Sequence, residues 1–129
     1  MPSHHTDRIS EDILRELTAI LRTVKDPRVS EQLAGGRLSV VRVEVARDLG
    51  SAKIYISAID GIDAAKGAVK GLVSAAGYIR RQLGQALDLR HTPELRFIAD
   101  DSIAYSAGIA ETLSKLQIAD EKGPSADEK

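Results

Sequence analysis

The sequence of 129 residues contains no cysteine and no tryptophan, and aromatic residues make up only 3% of it. The absence of cysteine excludes thiol catalysis, Cys-ligated zinc and iron–sulfur chemistry, and it agrees with a reducing compartment. The scarcity of aromatic residues disfavours a base-stacking platform of the kind that reads single-stranded RNA. No apolar run approaches the roughly 20 residues that span a bilayer, and the N-terminus lacks the apolar stretch of a signal peptide. We therefore expect a soluble, cytoplasmic protein without a membrane partner.

Length and charge predict one domain with polar ends. A chain of this length buries about two thirds of the surface that its unfolded form exposes, so it needs no disulfide or structural metal. The net charge of −1 is unevenly distributed, because residues 120–129 hold four acidic residues, two lysines and no apolar side chain larger than alanine. Such a composition does not repay the entropy lost on ordering. We predict a flexible N-terminus over residues 1–7, a single domain over residues 8–118 and a disordered acidic tail over residues 119–129.

Hydrophobic periodicity predicts a helix followed by a β-hairpin. Apolar residues recur every three or four positions over residues 9–24, as on one face of an amphipathic helix. Pro27 ends that helix, and a connection through residues 35–36 follows. Over residues 38–58 the period changes to two, with a turn at residues 48–51, which predicts two paired strands.

Four glycines interrupt a second helical pattern over residues 64–89. Each interior glycine costs roughly 1 kcal/mol relative to alanine, so this helix should be bent or broken. Pro93 stops it, residues 94–99 form a third strand, and residues 100–102 supply N-caps for a last helix. The order helix, strand, strand, kinked helix pair, strand predicts an α+β fold with helices covering one face of a three-stranded sheet, plus a C-terminal helix. The four glycines are Gly67, Gly71, Gly77 and Gly84.

Four segments of the chain carry a family resemblance. They are Lys25-Asp26-Pro27-Arg28, residues 48–57 of the hairpin, residues 78–83 of the second helical region, and residues 89–97 followed by Asp100-Asp101-Ser102. In this order and spacing they resemble the bacterial ribosome-binding factor A family, over residues 8–116. No segment is specific alone, but four in the family's order are much more specific than one short pattern.

The resemblance implies a type II KH-like domain that binds the free small (30S) ribosomal subunit and assists late maturation and processing of the 16S ribosomal RNA precursor. It implies a binding protein rather than an enzyme, without a cofactor, and we expect a monomer. Ordinary KH modules clamp RNA with a Gly-x-x-Gly loop, which this sequence lacks. In the family a helix–kink–helix bearing Ala-x-Gly replaces that loop, and Ala75-Ala76-Gly77 match it.

Basic residues surround the matched kink. The window 64–96 holds six lysines and arginines against one aspartate and one glutamate. Composition alone favours a solvated helix face, and small residues such as Ala75-Ala76-Gly77 also suit close helix packing or a helix end. The resemblance reverses that preference in favour of contacts with RNA phosphates. The predicted RNA-binding residues are Arg28, Lys53, Lys66, Lys70, Ala75, Gly77, Arg80, Arg81 and Arg90.

Two other functions stay open from the residues themselves. A protein-interaction module that docks through a strand edge or a helix face would need no RNA. A metal-dependent hydrolase would use Asp100, Asp101 and His91, but acids before a helix are expected as caps and no further ligand completes a metal site. The three tyrosines lie on different elements, which favours packing over base stacking. They are Tyr55, Tyr78 and Tyr105.

Overall fold

The computed structural model describes the backbone of residues 4–122 and the side chains of residues 7–114 and 116. The helices and strands follow the predicted α+β order except for one additional helix before the first strand. There are three strands and a helix after the last of them, which confirms the fold class. A single 3-10 turn, Leu21–Thr23, extends the first helix. The elements are α1 (His4–Ile20), α2 (Pro27–Ala34), β1 (Leu38–Val45), β2 (Ser51–Ala58), α3 (Ile62–Ser74), α4 (Ala76–Leu87), β3 (Glu94–Asp100) and α5 (Ser102–Lys122).

The sheet has the strand order β1-β2-β3. β1 and β2 pair antiparallel as a hairpin, whereas β2 and β3 pair parallel. A parallel pair requires a crossover connection, because the chain must return to the same end of the sheet. Helices α3 and α4 provide that crossover, and this topology places the junction between them outside the sheet.

The core lies between the sheet and the helices on one of its faces. Helix α1 packs against β1 and α4, while α3 packs against β2 and β3. Opposite the core, the strands expose the charged side chains of Arg42, Glu44, Lys53 and Arg96, as expected for the sheet face that no helix was predicted to cover. The largest fully buried side chains are Ile13, Leu17, Leu21, Val29, Ile54, Ile56, Ser57, Leu72, Ile79 and Leu83.

Helix α2 occupies a segment that the sequence predicted as a connection, and that prediction was wrong. The Asp26 carboxylate accepts a hydrogen bond from the amide of Arg28 at 2.9 Å and caps the helix. Pro27 takes the first helical position, where its missing N–H is no loss. The fully buried side chain of Val29 then anchors the helix to the core. The first helix and its 3-10 turn already end at Thr23, and Pro27 begins α2.

The pairing of Asp26 with Arg28 predicts a loss of stability in acid. Hydrogen bonds from the Arg28 side chain and amide lower the pKa of Asp26 from its ordinary 3.8 to about 2. The stabilisation is therefore complete above about pH 4 and is lost as the pH falls through the folded-state value. Asp26→Asn keeps a capping oxygen and removes the charge. We expect the melting temperatures of wild type and variant to differ most above about pH 4 and to converge toward about pH 2. A difference that is constant with pH would contradict this assignment.

Gly71 allows α3 to lie close to the start of α2. A Cβ atom at this position would lie 2.9 Å from Cγ2 of Val29 and 3.1 Å from the carboxylate carbon of Asp26. Gly67, one turn earlier on the same helix, has no atom within 4 Å of the corresponding position. The two glycines therefore differ in packing although they share a helix.

This difference predicts opposite effects of alanine at the two positions. Gly71→Ala should lower the free energy of unfolding by about 1 kcal/mol, because overpacking costs about 1–3 kcal/mol and the gain in helix propensity returns about 1 kcal/mol. Gly67→Ala meets open space and should raise the free energy of unfolding by up to about 1 kcal/mol. Urea denaturation of both variants measures the two changes. Stabilisation by Gly71→Ala would show that α2 and α3 are not in tight contact.

Helix α5 is tied to the sheet at its first turn. The fully buried hydroxyl of Ser57 accepts a hydrogen bond from the amide of Ile103 at 3.0 Å. Further along the helix, Tyr105 is 68% exposed. The prediction that Tyr105 is a packing residue was therefore wrong as far as its contacts with the described residues are concerned. The reason is that α5 packs against β2 near its start. The other exposed large apolar side chains of α5 are Ile109, Leu113 and Leu116.

The helices at both ends are longer than the sequence predicted. Helix α1 begins at His4, and α5 continues to Lys122, so residues 4–7 and 119–122 are helical where flexible ends were predicted. Once a helix is nucleated, each added residue gains one hydrogen bond, which allows extension into polar segments. The remainder of the predicted flexible ends, residues 1–3 and 123–129, lies outside the described residues. Between residues 4 and 122, none of the helices has both the length and the apolar character that crossing a membrane requires.

Candidate nucleic-acid interface

The predicted break in the second helical region lies at Ala75, between α3 and α4. Its backbone has φ −99° and ψ 9°, and its amide donates to the carbonyls of Gly71 and Leu72 at 3.2 and 3.1 Å. Helix α4 starts at the next residue, and its own hydrogen bonds begin with the amide of Ile79 donating to Ala75. The kink is therefore confirmed, but an alanine forms it rather than one of the glycines.

Beside the kink, the first two turns of α4 and the loop before β3 form a basic depression of about 380 Å³. Gly77 forms part of its wall, and apart from its chain neighbours and the adjoining backbone of its own helix no atom lies within 4 Å of the place where a Cβ would be. The exposed side chains of Arg81 and Arg90 have no hydrogen bond or ion pair with any other residue that the structure describes. We call this site the arginine depression. Its lining residues are Gly77, Arg80, Arg81, Arg90, His91 and Thr92.

Arg80 also holds the loop that carries Arg90. Its guanidinium donates to the carbonyls of Thr92 at 2.8 Å and Pro93 at 3.2 Å. Gly84 supports the same contact, because a Cβ there would lie only 2.6 Å from Oγ1 of Thr92. The loop therefore lies directly on α4, which fixes Arg90 beside Arg81.

The other predicted site residues lie elsewhere. Lys66 and Lys70 are exposed one turn apart on α3. Arg28 forms an ion pair with Asp26 at 2.6 Å, and Lys53 lies on the sheet face away from the helices. The structure thus brings four predicted residues into one depression with Ala75 just before them, and leaves the remaining four on three other elements. The four in the depression are Gly77, Arg80, Arg81 and Arg90.

Two lining residues of the arginine depression were not predicted as RNA-binding. His91 and Thr92 follow Arg90 directly, within one of the segments that carry the resemblance. Their adjacency to Arg90 in the sequence was the signal that could have identified them as part of the site. It is not sufficient by itself, because only the docking of the loop on α4 shows that both residues face the arginines.

Of the two acidic residues before α5, Asp100 acts as a side-chain cap. The Asp100 carboxylate accepts from the amide of Ser102 at 2.8 Å and also from the Ser102 hydroxyl. These hydrogen bonds lower the pKa of Asp100 below its usual value. Among the residues with described positions, no group of three histidine, cysteine, aspartate or glutamate side chains lies close enough to hold a metal ion.

Known proteins with similar sequences share one description. The family model of ribosome-binding factor A matches residues 5–113. The ribosome-binding factor A of Lachnospira eligens is 43% identical over 116 residues, which cover 89% of this chain and 85% of that protein. The one from Desulfitobacterium hafniense is 37% identical over 123 residues, covering 95% and 94% of the two chains.

Solved structures agree with the fold. A solution NMR structure from Thermotoga maritima, assigned to ribosome-binding factor A, matches with a TM-score of 0.65 at 26% identity, covering 76% of this chain and 89% of that one. The crystal structure of the Thermus thermophilus ribosome-binding factor A gives 0.62 at 21% identity, covering 73% and 93%. Coordinates of the Thermus thermophilus protein fitted into a cryo-electron microscopy map of its 30S complex give 0.54 at 22% identity, covering 69% and 88%. Family model, relatives and fold agree, and the chain belongs to the ribosome-binding factor A family.

Proposed function

We propose that this protein is a cytoplasmic, monomeric ribosome assembly factor that binds the free 30S subunit and assists late maturation of the 16S ribosomal RNA precursor. The names of its relatives refer to ribosome binding, and the Thermus thermophilus relative has been fitted into a map of a 30S complex. On this chain, the observation that carries the proposal is the arginine depression, where Arg81 and Arg90 face solvent together beside an open glycine.

The chemistry of the arginine depression suits an RNA backbone. A guanidinium group presents a planar fork of donors that matches the oxygens of a phosphate. Because Gly77 has no side chain and no close neighbour, a sugar–phosphate strand can approach the backbone of α4 there. Lys66 and Lys70 on α3, the helix before the kink, add two exposed positive charges.

The charge of the whole chain limits how the protein selects its target. A formal net charge of −1 predicts weak non-specific attraction to nucleic acid. Selectivity must then come from the shape of a folded ribosomal RNA surface. In this proposal the protein acts by binding rather than by turnover. It shifts the folding of the precursor only as far as it binds one RNA arrangement more tightly than the others.

Co-sedimentation with purified ribosomal particles tests the proposed function. The full chain would be pelleted with 30S subunits, with 70S ribosomes and with an unrelated RNA, at low and at physiological salt. We expect selective pelleting with 30S subunits that persists at physiological salt. Equal binding to every RNA would reduce the site to a generic basic patch. Absence of binding to any particle would favour the protein-interaction module, for which the exposed apolar residues of α5 offer a surface.

A further inference from the structure

A second concave site lies next to the arginine depression. It has a volume of about 600 Å³ and lies between the 3-10 turn that ends α1, the start of α2 and the kink. We call it the kink pocket. Consecutive residues Gly77 and Tyr78 line different sites, so the arginine depression and the kink pocket flank the first turn of α4. The kink pocket is lined by Thr23, Val24, Lys25, Ser74, Ala75 and Tyr78, among others.

The walls of the kink pocket combine an apolar floor with a polar rim. Val24 is buried and Ala75 is half-buried, and they provide an apolar surface. Ser74 and Lys25 are both exposed and add polar groups to the lining, and the Ser74 hydroxyl donates to the carbonyl of Lys70 at 3.2 Å. A volume of some hundreds of cubic ångströms with mostly apolar walls and few polar groups is typical of small-ligand sites. The kink pocket therefore has the size and chemistry to hold one planar ring with a polar edge.

Tyr78 forms a fixed wall of the kink pocket. Its ring is 37% exposed, and its hydroxyl lies 2.7 Å from Oγ1 of Thr23. The single hydroxyl hydrogen of Thr23 is donated to the carbonyl of Ile20 at 2.6 Å, so Tyr78 must be the donor in the pair with Thr23. The Tyr78 oxygen then keeps lone pairs that can accept a further hydrogen bond. A rigid aromatic face with an acceptor at its tip suits a nucleobase that carries an amino group.

The acidic residue at the base of the kink pocket does not oppose an RNA strand. Asp26 lines the pocket, but its carboxylate is paired with the guanidinium of Arg28. Lys25 beside it remains exposed, so the accessible charge at the rim is positive. A strand with its phosphates in the arginine depression can approach the first turn of α4 closely at Gly77, which has no side chain.

We propose that the kink pocket holds one unstacked nucleotide of the RNA strand whose phosphates lie in the arginine depression. The inference rests on the proposed function and adds a base contact to it. Sequence-specific RNA recognition usually captures bases that are turned out of a helix and stacked on aromatic side chains. The two sites are lined by the consecutive residues Gly77 and Tyr78, and this closeness to the arginine depression favours a nucleotide over a peptide side chain.

Filling the kink pocket with a large side chain tests the proposal. Ser74→Trp places an indole in the pocket, whereas Val73→Trp adds the same bulk at the preceding residue, which is 59% exposed and does not line the pocket. Both variants should melt near the wild-type temperature. Because stacking one base is worth a factor of about ten or more in affinity, we expect Ser74→Trp to weaken 30S binding about tenfold and Val73→Trp to leave it unchanged. Tyr78→Ala should repeat the loss if Ser74→Trp fails to fold, and Tyr78→Phe should retain most of the binding.

A direct probe separates failure of the kink pocket from failure of the proposed function. Titration of the full chain with a single-stranded hexaribonucleotide of mixed sequence, followed by amide NMR, should shift the resonances of Thr23, Ser74 and Tyr78 in the wild type but not in Ser74→Trp.

If the pocket variants bind 30S subunits normally while Arg81→Glu with Arg90→Glu does not, the nucleotide pocket is overturned and the proposed function stands. If Ser74→Trp weakens 30S binding but RNA shifts none of the three resonances, the pocket receives a protein group, which also overturns the inference. If wild type fails to bind 30S subunits yet RNA shifts these resonances, the pocket stands without the proposed function.

Discussion

The double substitution Arg81→Glu with Arg90→Glu is expected to lower the affinity for 30S subunits by about 100-fold or more. Hydrogen bonds to charged groups contribute about 1.5–3 kcal/mol each, so losing two phosphate contacts reaches that factor before any repulsion is counted. Both side chains are exposed, and neither has a partner among the residues that the structure describes. The fold should therefore be unchanged, with a melting temperature close to that of the wild type.

A second double variant controls for net charge. Arg8→Glu with Arg47→Glu makes the same change in charge at two exposed positions, on α1 and in the turn between β1 and β2. Binding of fluorescently labelled protein to 30S subunits at physiological salt compares the two variants. We expect the control to bind like the wild type. An equal loss in both variants would mean that only the total charge matters, and no loss in either would place the RNA contact on another surface.

Arg80 is unsuitable for this test although it lies in the same depression. Its guanidinium donates to the carbonyls of Thr92 and Pro93, so a glutamate there would face two carbonyl oxygens. The loop that carries Arg90 would lose its attachment to α4. A binding defect from Arg80→Glu would then mix the loss of a phosphate contact with the movement of Arg90.

Periodicity was sufficient to predict the strands and the layered arrangement, but the segment around Pro27 shows its limit. Proline ends one helix and is equally suited to the first position of the next. The sequence of α2 covers only eight residues, and Val29 and Leu33 are its only large apolar side chains. Tertiary contacts decide whether the segment after Pro27 is a helix, because Val29 is buried against the core and Gly71 leaves room for it.

The geometry of the candidate interface was predictable only in part for a similar reason. Arg80 and Arg81 are adjacent to the kink in sequence, so the family resemblance was enough to select them. Arg90 was predicted as well, but its position beside them depends on the docking of its loop on Gly84, a long-range contact that no local pattern predicts. Local propensity also did not predict where the helix breaks. Of the glycines in α3, Gly71 lies in a close contact and Gly67 lies on open surface, whereas Ala75 adopts the non-helical backbone. Tyr78 borders the kink pocket because its hydroxyl reaches Thr23, 55 positions away in sequence.

Replacing Ile79 by alanine is expected to lower the free energy of unfolding by about 2–5 kcal/mol, the range for deleting a large aliphatic side chain from a packed core. Ile79 is fully buried, and it lies between Tyr78, which lines the kink pocket, and Arg80, which lines the arginine depression. Val73→Ala is the matched control, since Val73 is 59% exposed and should change stability by less than about 0.5 kcal/mol. Urea denaturation measures both changes.

The same variant shows whether the core positions the interface. A small domain has only about 5–15 kcal/mol of stability, so Ile79→Ala should be partly unfolded at elevated temperature and mostly folded in the cold. If packing of Ile79 fixes the orientation of α4, the folded variant should bind 30S subunits more weakly than the wild type even in the cold. The two sites on the first turn of α4 would then no longer be aligned for one strand. Full affinity in the cold would mean that the hydrogen bond between Tyr78 and Thr23, together with the attachment of Arg80 to its loop, is sufficient to hold the interface in place.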